Sequence, residues 1–121
     1  NIMPDSILRC KSKDFAKQIV FLCHDVKSKY KESVLTSQLL RSGTSIGANI
    51  SEAQHAQSKA DFLSKMTIAS KEANETRYWL RLLHDNGYIN DPMFTSINKD
   101  MERILYKIIA IVKSTKENLN R

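Results

Sequence analysis

Between residues 59 and 86, Phe62, Met66, Ala69, Ala73, Thr76, Leu80 and Leu83 recur at alternating steps of four and three. Such a heptad-like repeat puts one side chain per turn on a narrow face, so the segment can bury that face only as a long helix packed against other helices. A strand would scatter the same residues over both its faces. Ser58, followed three residues later by Asp61, has the capping-box arrangement that starts such a helix, and Gly87 is suited to stop it.

The same reading extends along the chain. Phe15, Ile19, Leu22 and Val26 predict a first helix over about 13–30, capped by Ser12, with Lys13, Lys17 and Lys27 off the apolar stripe; residues 1–11 are assigned to no helix. Leu35, Leu39, Ile46, Ile50 and Ala53 predict a second helix over about 34–55. Asp91 and Pro92 open a fourth over about 92–117, because proline is tolerated in a first turn where its missing N–H costs nothing. Phe94, Ile97, Met101, Ile104, Ile108 and Ile111 form its core stripe, and Leu105, Ile109 and Val112 widen that stripe enough to predict a subunit interface. Long helices with short polar connections give an all-α, up-down-up-down antiparallel four-helix bundle, one domain over 1–121, assembled as a homo-oligomer.

Composition agrees with that class. Three glycines and two prolines in 121 residues leave little material for hairpins. No apolar run approaches the roughly 20 residues of a membrane span, and the first residues lack the apolar block of a signal peptide, so the expected setting is cytoplasmic, with no membrane partner. Cys10 and Cys23 are too sparse for a disulfide framework or a zinc site, and no metal or cofactor is expected. The net charge is +6, with a pI near 9.4. Residues 1–33 carry seven Lys/Arg against four Asp/Glu and residues 87–121 six against four, whereas residues 34–57 balance one against one. The basic excess therefore sits at the two ends of the chain, where adjacent first and last helices would merge it into one field.

Gln38–Glu52 is the most unusual segment. Gln38, Arg41, Ser45, Asn49 and Glu52 make a second, polar stripe beside the apolar one, and such groups need another polar lane, water or a ligand. Ser42, Gly43, Gly47 and Ala48 suggest close approach of another backbone, since each mid-helix glycine costs about 1 kcal/mol relative to alanine. The stripe is read as structural: Arg41, Asn49, Glu52 and Glu75 pair between the second and third helices or across subunits, and an Arg41–Glu75 pair, if buried, would cost about 3–5 kcal/mol to break from one side.

Reactive constellations are weaker. Glu52-Ala-Gln-His55 spells the Glu-x-x-His of dimetal bundles, but no second copy exists, and His24 and His84 lie in no matching motif. Glu72 and Glu75 near Arg41 resemble an acid/base set without a nucleophile or phosphate loop, so no catalytic residue is assigned. For nucleic acid, Lys99, Arg103 and Lys107 form a line at i, i+4, i+8, and Arg77, Arg81 and His84 a shorter one; solvated faces are the plain alternative. Tyr78, Trp79 and Tyr88 are candidate base stackers, with Trp79 better read as core or interface because it adjoins Leu80.

Four segments carry a family resemblance: DFAKQIV at 14–20, QLLRSGTSIGANISEA at 38–53, SKADF at 58–62 and KEANETRYWLRLL at 71–83. In order and over nearly the whole chain, they resemble the small bacterial four-helix-bundle proteins encoded in intervening sequences of large-subunit ribosomal RNA genes. Arg41, Ser42, Ser45, Ile46, Asn49 and Glu52 match the family's RS-x-x-SI-x-x-NI-x-E pattern, and Glu75 its third-helix glutamate. Ala53 and Lys71-Glu72 stand where many members have glycine and Gly-Ser, which places the chain with a KEANET subgroup. The accessory variability protein of diversity-generating retroelements is a more distant likeness. It forms a five-fold barrel with a basic surface, which implies a homopentamer here. The resulting expectation is a non-enzymatic oligomeric bundle binding structured RNA or a ribonucleoprotein, the alternative being a protein-interaction scaffold whose basic charge is incidental.

Overall fold

The computed structural model describes the backbone of residues 2–119 and the side chains of residues 6–119; the outermost residues of the expected 1–121 unit lie outside it. Four helices follow one another: α1 (Ile2–Tyr30), α2 (Val34–Ala53), α3 (Lys59–Asp85) and α4 (Asp91–Leu119). Connections of three, five and five residues force consecutive helices to run antiparallel, and the described residues form an all-α bundle without strands. α2 packs between α1 and α3, and α3 packs on α4. The circuit closes only over a short stretch where α1 meets α4, and the backbones of the diagonal pairs stay farther apart.

The first helix begins well before the expected Ser12 cap. Leu8 and Ser12 continue the stripe of Phe15, Ile19, Leu22 and Val26 at the same steps of four and three, and all six are buried. Ser12 is therefore a core position, its hydroxyl donating to the Arg9 carbonyl at 3.0 Å instead of capping. The cost of a hydroxyl in the core is met by this bond within its own helix. Opposite Ser12 lies Gly47, where a Cβ would come 3.3 Å from the Ser12 hydroxyl and 3.5 Å from its backbone; at Gly43 a Cβ would come 2.9 Å from Ile19 Cγ2. These absent side chains let α1 and α2 approach closely, as the small residues suggested, while Ala48 lies on the exposed side.

Helix ends follow local chemistry. The Glu32 carboxylate accepts the free N–H groups of Val34, Leu35 and Thr36 at 3.0, 2.8 and 2.9 Å, satisfying three orphan donors at the start of α2. At its other end α2 stops at Ala53, and the next bonds, from Gln54 to Ser51 and from His55 to Glu52, have tightened to i→i+3. Ser58 accepts the Asp61 N–H at 3.0 Å, as its spacing predicts, while Asp61 reaches back to the Gln57 N–H. Gly87, at φ 81°, completes a Schellman turn in which Gly87 N–H bonds to His84 O and Tyr88 N–H to Leu83 O. The cap of α4 is Asn90, which takes the Met93 N–H at 2.9 Å; Asp91 is already inside the helix.

Leu105 is a correction. It is buried in the core alongside Ile104 and Ile108, and Val112 packs against that core; only Ile109 of the three stands largely in the open. α4 needs the wider stripe because it meets α3 along its length and also α1 at one edge.

Desolvation is the largest single influence on the Glu32 carboxyl and raises it, but the three N–H groups and the Thr36 side chain together outweigh it, so its pKa lies below the ordinary glutamate value. The stabilisation it gives is therefore complete above the unfolded value of about 4.3 and disappears as pH falls through the lower folded value. Glu32→Gln is expected to cost about 1 kcal/mol at pH 7, with the gap to the parent closing as pH falls below about 4.3; urea melts from neutral to acid pH check it.

Candidate functional site

Period fixes which side of α2 carries the polar stripe, and packing decides what each member does. Arg41 reaches across to α3, pairing with Glu75 and, at 3.4 Å, with Glu72, while Gln38 Oε1 accepts from its guanidinium at 3.4 Å. Glu75 also accepts from the Trp79 indole N–H at 3.3 Å, which holds that half-buried ring against the core. Lower on the same face Lys65 of α3 pairs with Glu52 at 3.4 Å. Ser45 and Asn49 take no part in this lacing. Ser45 donates to the Arg41 carbonyl at 2.6 Å and Asn49 to the Ser45 carbonyl at 2.8 Å, both within α2. Their side chains are too short to cross the interhelical gap, so the helix's own carbonyls satisfy them.

Of the two cases open for the Arg41–Glu75 pair, buried or exposed, the structure shows a half-exposed cluster. The Arg41 side chain is 48% exposed, against 38% for Glu75 and 19% for Glu72. Water screens such charges, so the cluster fixes the register of α2 on α3 with modest energy. Its chemistry is acid and base without a nucleophile. Cys23 is packed away between α1 and α2, its thiol donating to the Thr36 carbonyl at 3.4 Å, and burial, helped by the Glu32 charge, pushes its pKa up to about 12. Cys10 is exposed. Glu52 is taken up by Lys65, and no group of three or more His, Cys, Asp or Glu side chains converges among the described residues.

The two basic lines differ. Lys99, Arg103 and Lys107 are all exposed, and the latter two line a groove of about 390 Å³ between α4 and α1, joined by Lys11. Cations from both ends of the chain thus share one groove, but Asp14 and Asp100 share it too, and Gln18 bonds to Asp100 at 3.5 Å. On α3, Arg77 donates to Asn74 at 3.0 Å and Arg81 sits 5.6 Å from the centroid of the Phe94 ring. His84 stacks on that ring at 4.2 Å and meets Asp91 through Nε2 at 2.6 Å. Arg81 and His84 are thereby engaged in fastening the α3–α4 turn while Arg77 is held within α3, and none of the three lines the groove with the α4 cations. Tyr88 is used similarly, edge-on to Tyr30 at 5.2 Å, whereas Tyr78 stays exposed beside Trp79.

By sequence, Lys13, Lys17 and Lys27 lie off the apolar stripe and a basic excess sits at this end of the chain, with Arg9 and Lys31 not joined to them; all five are exposed, and none forms an ion pair among the described residues. The helix-wide signal lay in their spacing, but with α1 starting at Ser12, Arg9 fell outside the helix and the row was cut short. No helix among the described residues is long and apolar enough to cross a membrane.

Because the Arg41 cluster is half exposed, Arg41→Ala and Glu75→Ala should each cost about 1 kcal/mol or less, with a coupling energy below about 1 kcal/mol that shrinks in high salt. Denaturant melts of the two single variants and the double variant at low and high ionic strength measure it; coupling of several kcal/mol would mean that the pair is shielded in an assembly.

The geometry described here has counterparts. A family model described as 23S rRNA-intervening sequence protein matches residues 5–110. The crystal structure of a protein with unknown function from the S23 ribosomal protein family from Bacteroides thetaiotaomicron is similar at 50% identity, covering 91% of this chain and 98% of that one, with a TM-score of 0.89. No curated protein matches. The match over most of the sequence and the shared fold together place this chain in the 23S rRNA-intervening sequence protein family.

Proposed function

We propose that this protein is a non-enzymatic, cytoplasmic, oligomeric bundle that binds structured RNA of the ribosomal intervening-sequence type through its basic surface. The observation that carries the reading is the row of exposed cations without carboxylate partners on α1, together with the line Lys99, Arg103 and Lys107 on α4, in a chain of net charge +6. Such cations gain by displacing counterions from phosphates and have no internal charge to satisfy. Arg41 and Glu52 of the polar stripe, by contrast, are spent on joining α2 to α3, and Ser45 and Asn49 bond within α2. The stripe provides a frame in which Arg41, Glu52 and Glu75 act structurally, and neither it nor the cysteines offers an activated nucleophile.

Binding through phosphates makes affinity fall steeply with salt. Filter binding of ribosomal RNA fragments is expected to weaken by at least tenfold between about 50 and 200 mM salt, with little discrimination among sequences of equal shape. An absence of salt-sensitive binding would remove the RNA reading and leave a protein-interaction scaffold. Assembly is part of the proposal. The likeness to the five-fold barrel and the outward Ile109 on α4 support a homopentamer, for which light scattering should give five times the chain mass of 13.9 kDa. A monomer at micromolar concentration sinks the assembly, and a dimer or tetramer sinks the five-fold symmetry.

A further inference from the structure

The last turns of α1 and the connection to α2 bring cations and hydroxyl groups together. His24, Lys27 and Ser28, at i, i+3 and i+4, share one outward face of the helix, and with Lys31 and Ser33 of the connection they line a hollow of about 510 Å³. All five are exposed, and none of the three cations has an ion-pair partner among the described residues. His24, Lys27 and Ser33 also line a smaller recess of about 130 Å³ between α1 and α2, walled by Cys23, Thr36, Ser37 and Leu40. No carboxylate lines either hollow. The Cys23 thiol, its pKa pushed up to about 12, adds no negative charge at neutral pH.

Ordinary helix-end chemistry does not account for this set. Ser33 is the N-cap of α2, yet its side chain makes no capping bond, because the Glu32 carboxylate has taken the N–H groups of Val34, Leu35 and Thr36. The Ser33 hydroxyl is thus left over at the hollow, while the neighbouring carboxylate is turned into the first turn of α2. Asp25, the acid of this part of α1, pairs with Lys29 at 3.2 Å. Lys31 follows the last residue of α1 at φ 57°, a position where glycine would cost least. Lys27 and Lys29 already supply the last turn with the positive charge that favours a helix C-terminus, which gives no reason for a strained lysine beyond it.

Two ammonium groups, an imidazole and two hydroxyls form a donor set suited to a tetrahedral oxyanion, with no carboxylate in the lining to repel it. The α4 groove lacks this one-sidedness, since Asp14 and Asp100 stand among its cations. We infer that the hollow at the α1–α2 turn is a phosphate-binding site, in which Lys27, Lys31 and His24 face the anion and Ser28 and Ser33 donate to its oxygens. The phosphate can belong to an RNA strand, a source that rests on the reading above, or to a small phosphate ester; the group recognised is the same.

The test titrates the full chain with inorganic phosphate at constant ionic strength, chloride making up the balance, and follows backbone amide shifts by NMR. Saturable shifts are expected across residues 24–33 and not at Lys99, Arg103 and Lys107. Equal shifts with chloride alone, or shifts centred on α4, overturn the site. Lys27→Gln/Lys31→Gln should weaken phosphate binding by more than about tenfold, the worth of one charge-assisted hydrogen bond. Lys31→Gly separates binding from folding, because it removes the cation and relieves the left-handed backbone: phosphate affinity should fall several-fold while the melting temperature is no lower than the parent's. Affinity retained in both variants overturns the inference. Fluorescence anisotropy with a short labelled RNA duplex then identifies the source. If a strand phosphate fills the site, inorganic phosphate competes beyond its effect on ionic strength, and the double variant lowers the salt slope by about 2, at about 0.9 per contact. RNA binding that neither changes leaves the site to a small phosphate ester and places the RNA contacts elsewhere. If the parent binds no RNA, the reading above fails, while the phosphate titration still decides this one.

Discussion

The bundle depends on the close approach of α1 and α2 at Gly43 and Gly47. With α1 touching α4 over only a short stretch, the four helices are held as a series in which α2 joins α1 to the rest. A methyl group at position 43 would press on Ile19, and one at 47 on Ser12, so both glycines give up helix propensity for close packing. That approach buries Ile19, Ile46 and Ile50 completely and closes the α1–α2 half of the core.

The other edge of α2 works by a different physical means. Toward α3 the contact is apolar at its centre and laced at its rim by Arg41 with Glu72 and Glu75 and by Glu52 with Lys65. Exposed ion pairs contribute little stability, but they penalise a shift of register, because sliding α2 by one turn would bring Arg41 away from both acids. One helix thus has a glycine edge that sets distance and a charged edge that sets register.

The same division sorts the cations of the molecule. Arg41, Lys65, Lys29 and Arg81 have intramolecular partners, carboxylates for the first three and the Phe94 ring for the last. Those on the outer band of α1 have none among the described residues, and repulsion among them is tolerated only because water and salt screen exposed charge. Phe21, exposed on the same helix, is apolar surface that folding did not bury. Which cations are partnered and which are not is a matter of their neighbours in space, which a net charge cannot reveal.

Helix identity, the α3 seam, the Ser58 start, the Gly87 stop and the side of α2 that carries polar groups were all legible in the sequence, because each depends on period or on residues within one turn. Resemblance of the RS-x-x-SI-x-x-NI-x-E segment added the family. What required the tertiary structure were matters of depth and reach. Ser12 looked like a cap because hydroxyls favour helix starts, yet Leu8 one turn earlier is buried and makes it a core position. Leu105 looked like interface surplus until α1 and α3 were both seen against α4. Asn49 and Glu52 share a stripe, but only the longer, charged side chain finds a partner on α3, in Lys65. Periodicity gives the direction of a side chain from its own helix axis; which neighbour stands in that direction, and how far away, is set only when four helices settle at distances their smallest residues allow.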